Sequence, residues 1–431
     1  MKTNLFKINY NLPWDADFFP RGCPRCSFLV FLGWLAPLGL LLLAGLAACF
    51  LVFYYGLGVT ALDDYFGFGL WIAFDLAIIA LGAGAFFTGL LRYILNIDQL
   101  RNIVNLAVII GFICYTGAML VLALDIGQPL RSWFGYWHAN VHSMLAEVIF
   151  CITCYCLVLV IEYVPLVLEQ RQLHRVAFFR LLASNLHLFM PVFAGVGAFL
   201  STFHQGSLGG MFGVLEARPF AYRDGFFIWP WTFFLFVLSA IASGPAFTVL
   251  VCSLMEKLTG RKLVSWDVKS IMGKVSGTLL LVYIFFKIAD TLWWALGLSA
   301  KAGMSFRQMF GGWGHGFWLL PVEIFVCGLL PGLLLFFAAT RNRPLFFYPA
   351  ALLACLGVCL NRYVVTVQTL AQPVMPFEKW EFYLPNWVEW APSLMVLAYG
   401  AILLSFSYRY LPLFPQEEQL NTTMNRLPGK G

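Results

Sequence analysis

The chain has 431 residues, of which 61% are hydrophobic and 11% charged, with a formal net charge of +6. A water-soluble globular protein with that balance would expose large apolar patches and aggregate, so that class is excluded. The apolar runs are continuous rather than alternating, which excludes a transmembrane β-barrel, and several exceed the ~20 residues that cross a bilayer as a helix.

In chain order, residues 1–27 are polar and mixed, with Pro13, Pro20 and Pro24, and read as a tail. The apolar run that follows is too long for a signal-peptide core and reads as a retained helix. Cys23-Pro-Arg-Cys26 is a CxxC without a second pair, a weak metal or redox motif. Ten spans follow at about 28–56, 68–94, 100–124, 139–165, 182–203, 228–255, 271–296, 317–339, 345–370 and 388–411, and 412–431 forms a second tail. The expectation is an all-α polytopic membrane domain over 28–411 with both termini on one side. Most of the 27 Lys and Arg fall in the tails and in the loops on that side, for example Arg171, Arg175 and Arg180, then Lys257, Arg261, Lys262 and Lys269, then Arg341 and Arg343. By the positive-inside rule both termini are cytoplasmic. The net charge therefore reflects topology and gives no reason to invoke nucleic acid. The opposite loops 204–227, 297–316 and 371–387 are rich in Gly, Trp, Phe and Pro. They read either as a docking surface or as an interfacial aromatic belt.

A charge at the centre of a membrane helix costs about 2.5–3.5 kcal/mol, so each one needs a reason. Asp75 lies about two turns in from the outer end of the second span. His142 and Glu147 fall in the outer half of the fourth. Ser201-Thr202-Phe203-His204-Gln205-Gly206-Ser207-Leu208-Gly209-Gly210 closes the fifth and opens a polar turn. Lys287 and Asp290 are in the outer half of the seventh, Glu323 is two turns into the eighth, and Asn361 and Arg362 are past the middle of the ninth. The common level points to a polar pocket near the outer surface. Each residue also has a structural reading. Lys287 and Asp290 can neutralise one another at i,i+3. Arg362 can pair with Asp75 or Glu323, His142 can be a satisfied core histidine, and Glu147 can be protonated. Lys274, Ser276, Thr278 and Tyr283 carry polar positions inward from Lys287 and Asp290, with Glu147, Glu323 and His187 in support. They form a candidate proton path from the cytoplasm, the alternative being proton entry from outside.

The 11 cysteines lie mostly inside apolar runs, and no CxxCH or iron–sulfur spacing occurs. His142 and His204 are the one histidine pair at matching depth, so the expectation is a chain without haem or iron–sulfur cluster. A rival class is a secondary transporter, since Pro191, Gly244-Pro245 and Pro331 interrupt helices that carry buried charge. The preference of the polar residues for the outer half rather than the midplane argues against it.

Three stretches carry a resemblance: Leu124-Asp125-Ile126-Gly127-Gln128-Pro129, Ser201 to Gly209, and Asn361-Arg362-Tyr363. They resemble the ten-helix branch of the NrfD/PsrC family of quinone-interacting membrane subunits. The menaquinone-reductase members are most similar, with hydrogenase- and polysulfide-reductase-type subunits also similar. Gln128 departs from the family's Asp-x-Gly-Arg-Pro form and removes the contact of that arginine. The resemblance implies two four-helix bundles, about 68–203 and 228–370, with the first and last helices peripheral. It implies a bacterial inner-membrane subunit without its own redox cofactor. Menaquinone would bind near the periplasmic face beside an iron–sulfur subunit, with a multihaem cytochrome c and a molybdopterin-oxidoreductase-like subunit in the same complex. On that reading His204 donates to a quinone carbonyl and relays a proton. Asp75 sets its tautomer, Gln205 and Ser207 orient the head group, and His142 and Arg362 complete the pocket.

Overall fold

The computed structural model describes residues 15–20, 22–215, 218, 221–223, 225–226, 229–298, 312–373 and 377–426. The start of the first tail and most of the expected outer loop 297–316 lie outside the described residues. Ten helices are long and apolar enough to cross a membrane. They are α1 (Phe28–Tyr55), α2 (Leu70–Ile94), α3 (Val104–Asp125), α4 (Met144–Leu168), α5 (Ala177–Gly213), α6 (Trp231–Thr259), α7 (Trp266–Gly297), α8 (Leu319–Phe336), α9 (Pro344–Ala371) and α10 (Trp387–Tyr410). A short helix, α11 (Glu417–Arg426), follows. The all-α polytopic architecture expected from composition is thus the observed one. The strand pairing among the described residues is limited to Gly225–Phe226 against Trp229–Pro230. Helices suit this composition because a bilayer offers no partner for an unpaired backbone group. Their ends are closed locally: the Ser27 hydroxyl accepts from the Val30 amide, and Asn386 and Glu389 form a reciprocal capping box on α10.

Helix α4 lies along α5, α2 along α3, α5 along α6 and α6 along α7. Helix α9 packs on both α2 and α6, α8 lies against α7 and α9, and α1 is held chiefly by α10. A close main-chain crossing joins α2 to α6. A Cβ built on Gly84 would lie 2.5 Å from the Gly244 carbonyl oxygen, so only glycine permits this approach.

Two boundaries differ from the sequence reading. Helix α5 does not stop near residue 203 but runs on through Gly206, Gly209 and Gly210 to Gly213. These glycines serve packing rather than a turn: Gly206 faces the Phe233 ring, and a Cβ on Gly209 would lie 2.7 Å from Cγ of Phe236. Helix α4 begins only at Met144, which leaves His142 in an exposed turn, its amide bonded to Asn140 Oδ1 at 3.0 Å. Within α8, residues Val322–Leu329 are π-helical. Pro331 follows and cannot donate to the turn before it, and π adjustments of this kind re-satisfy the freed groups.

At the end carrying both termini, residues 22–27 and α11 clasp one another. Glu417 receives Arg25 at 2.6 Å, Arg261 at 2.7 Å and the Tyr408 hydroxyl at 3.1 Å. Cys23 of the CxxC is buried in this clasp, and burial, then the nearby Glu417, pushes its thiol up to about 11. It is held as a thiol rather than as the thiolate that redox or metal chemistry needs.

Candidate functional site

Ser201, His204 and Gln205 share one face of α5 by their i, i+3, i+4 spacing, and all three are buried. Tyr115 of α3 and Tyr155 of α4 complete a cluster around them. The Tyr115 hydroxyl and Ser201 Oγ are 2.6 Å apart. The Tyr115 ring meets Tyr155 edge-on at 4.5 Å and His204 at 5.7 Å between centroids. The bonding then stops. Neither ring nitrogen of His204, neither amide atom of Gln205, nor the Tyr155 hydroxyl has a hydrogen-bond partner among the described residues. The Gln205 amide lies near the Tyr115 hydroxyl, and the Tyr155 hydroxyl near Ser201, without bonding geometry. The Val148 backbone of α4 lies next to the imidazole, short of hydrogen-bond geometry. A buried polar group left unpaired costs about 1–3 kcal/mol. A cluster of them on adjoining side chains is a place where water or a polar ligand can supply the missing partners. Ser207 is buried too, but its hydroxyl donates to the Phe203 carbonyl at 2.8 Å, leaving acceptor capacity only. Asp75, buried on α2, makes no hydrogen bond or ion pair among the described residues, and the charged group that bears on it is Asp125.

A second polar cluster joins α6, α7, α8 and α9. Glu323 Oε1 accepts from the Tyr283 hydroxyl at 2.9 Å and from Asn361 Nδ2 at 3.0 Å, with Lys287 Nζ at 3.7 Å. Arg362 donates to Asn361 Oδ1 at 2.6 Å and to the Phe236 carbonyl at 3.1 Å, and its guanidinium lies 3.6 Å over the Phe236 ring. Asp290 receives Arg223, from the loop before α6, at 2.7 Å. Each charged side chain here has at least one polar partner, while among the described residues Asp290 Oδ2, Glu323 Oε2 and Arg362 Nε are left without one.

The structure therefore sorts the expected site. It brings His204 and Gln205 together, with Ser207 one turn beyond. It joins Tyr283, Lys287, Glu323 and Arg362. Lys287 and Asp290 are not a self-neutralising pair, because each has a different partner on another element. The expected Asp75–Arg362 network is not formed, since Arg362 is consumed by Asn361 and Phe236. His142 does not reach the pocket and does not face His204 as a second ligand, because α4 starts after it. Lys274 is exposed on the surface of α7 near its inner end, where a long stem can carry its ammonium to the membrane surface. Glu147, in the first turn of α4, is half-buried and joins neither cluster. Tyr115 and Tyr155 were missed. The available signal was a phenol in the apolar run of each of two consecutive spans, at a depth matching His204.

The family described as polysulphide reductase, NrfD, matches residues 58–373, which takes in both clusters. The chain belongs to the NrfD family. It is 67% identical, over 96% of its own length and 99% of the relative's, to the menaquinone reductase integral membrane subunit of Nitratidesulfovibrio vulgaris. More distant members have other names. A selenate reductase subunit of Mesobacillus selenatarsenatis is 24% identical over 82% of this chain and 88% of its own. The probable Ni/Fe-hydrogenase 2 b-type cytochrome subunit of Escherichia coli is 25% identical over 81% and 84%.

Proposed function

We propose that the chain is the integral membrane subunit through which a respiratory oxidoreductase complex reduces menaquinone. The observation that carries this reading is the buried, unpartnered His204–Gln205 pair, in a family member that is 67% identical to a menaquinone reductase subunit. Reduction takes up two electrons and two protons. Electrons come from an iron–sulfur subunit docked at the periplasmic face, and ultimately from a multihaem cytochrome c, with a molybdopterin-oxidoreductase-like subunit in the same assembly. The chain sits in the bacterial inner membrane with both termini cytoplasmic. His204 donates to one quinone carbonyl and hands it a proton, while Gln205 fixes the head group through its amide. Tyr115 and Ser201 hold the imidazole's position and can refill its proton. The apolar side chains around them suit an isoprenoid tail.

The proton path runs through α3, α4 and α5 rather than along α7. A cavity of about 30 Å³, room for one or two waters, lies at the inner end of these helices. Tyr93, Asn105, Glu162, Glu169 and His187 line it, and His187 bonds Glu169 at 2.8 Å. Glu162 and Tyr155 are two turns apart on one face of α4, roughly 10 Å at the helical rise, a gap that waters can bridge. In the inner half of α6–α9 Val249, Cys252, Met272, Leu335 and Phe347 pack together, and the buried Lys269 there is taken up by Glu256 and Ser253.

His204→Ala is the test. Turnover with a menaquinone analogue is expected to fall at least ~100-fold in an assembled complex. Normal turnover in that variant excludes His204 from the site. A single-subunit protein that moves solute in vesicles decides for the transporter reading.

A further inference from the structure

The connection between α3 and α4, residues 126–143, lies on the side remote from the termini and includes a one-turn helix, Phe134–Trp137. Its contacts give its depth. Gly135 lies against Ile149 of α4. Tyr136 packs edge-on to Phe150 with centroids 5.5 Å apart, and its hydroxyl bonds Thr153. Since α4 starts at Met144, these contacts fall roughly 7–14 Å along its axis from its outer end. The connection therefore doubles back along α4 instead of standing off its tip. It does so on the flank opposite Val148, Ile152 and Tyr155, the residues that α4 buries toward the His204 cluster.

The outward side of the connection is apolar. Leu130 is 90% exposed, Trp133 50%, Trp137 76% and Val141 89%. This surface continues through Tyr136 and Phe150 into the exposed apolar flank of α4, where Leu145 and Leu157 also lie. Between Ile126 and Ala146 the chain carries Arg131, His138 and His142 but no Asp or Glu. We infer that residues 130–141 are an interfacial anchor that dips into the outer leaflet, with Trp133 and Trp137 at the boundary of head groups and acyl chains and Arg131 on lipid phosphate. Tryptophan and tyrosine favour that boundary, and an arginine fork suits phosphate oxygens. Depth and charge select lipid over protein as the occupant. A partner on this face would have to enter the membrane plane to cover it, and between Ile126 and Ala146 would meet Arg131 with no carboxylate beside it. The anchor holds the outside of the helix whose inside walls the site.

The photoreactive residue p-benzoylphenylalanine placed at Trp137, in the assembled complex in its native membrane, tests this. Irradiation is expected to yield phospholipid adducts on the peptide carrying residue 137, as it does for the same probe at Leu157 in the middle of α4. A cross-link from 137 to another polypeptide overturns the inference. So does the absence of a lipid adduct at 137 where Leu157 gives one. The same probe at Leu130 gives a second reading if the Trp137 variant does not assemble, with the same two outcomes.

Discussion

The two polar clusters differ in how far they are satisfied: each charged group of the α6–α9 cluster has at least one polar partner, with Asp290 Oδ2, Glu323 Oε2 and Arg362 Nε left over, whereas His204 and Gln205 have none among the described residues. In the α6–α9 cluster Glu323, Lys287, Arg362, Asp290 and Arg223 are cross-linked by ion pairs and hydrogen bonds. In the α3–α5 cluster the imidazole of His204 and the amide of Gln205 are unpaired. Both are expensive to bury. The first is compensated inside the protein and pins helices to one another. The second is compensated only when something else arrives. What sets the α3–α5 cluster apart is that two adjoining side chains, His204 and Gln205, are each wholly without a hydrogen-bond partner among the described residues.

That contrast can be broken by exchanging the expected phenotypes. The largest effect is expected for Asp290→Ala, which strips Arg223 of its counter-ion. Losing one member of a buried pair costs about 3–5 kcal/mol, so thermal unfolding of the complex should shift down markedly while turnover per assembled complex stays within twofold. A fall in turnover and in membrane potential without loss of stability would return the proton path to α7. Gln205→Leu is the mirror case. Removing an unsatisfied buried amide should raise stability by about 1–2 kcal/mol while menaquinone reduction is largely lost. A variant that is less stable would show that Gln205 is a structural residue.

Smaller effects sharpen the comparison. Glu162→Gln should slow turnover on the order of tenfold and reduce the potential generated in liposomes. Moving a charge against 100 mV costs about 2.3 kcal/mol, so an imposed potential should slow the parent complex more than the variant. Equal sensitivity would take Glu162 out of the route. Tyr115→Phe removes one hydrogen bond, to Ser201, and is expected to cost about 1 kcal/mol of stability with a modest change in Michaelis constant. An unaltered Michaelis constant would leave Tyr115 as packing alone.

Most of the fold was legible because long apolar runs have one solution in a bilayer, and the ten spans follow from that. The end of α5 was misread because glycine signals both turns and close packing. Only the facing rings of Phe233 and Phe236 show that Gly206 and Gly209 are the latter. His204 and Gln205 stood out as polar residues at the end of an apolar run. The partners of Arg362 could not be read, since depth in the membrane does not say which way a side chain points around its helix. Tyr115 and Tyr155 were hidden for a related reason: tyrosine is common in membrane helices, and only their convergence on Ser201 and His204 gives them meaning.

The crossing of Gly84 and Gly244 bears on what the molecule can do with time. Carriers that alternate their access rock one half of the structure on the other. Here two main chains touch with nothing between them, at the middle of the seam where α2 meets α6. Menaquinone reduction as proposed above asks for no such rocking, so this joint can serve one purpose, to set how closely α2 and α6 lie; a side chain at either position would force the two helices apart.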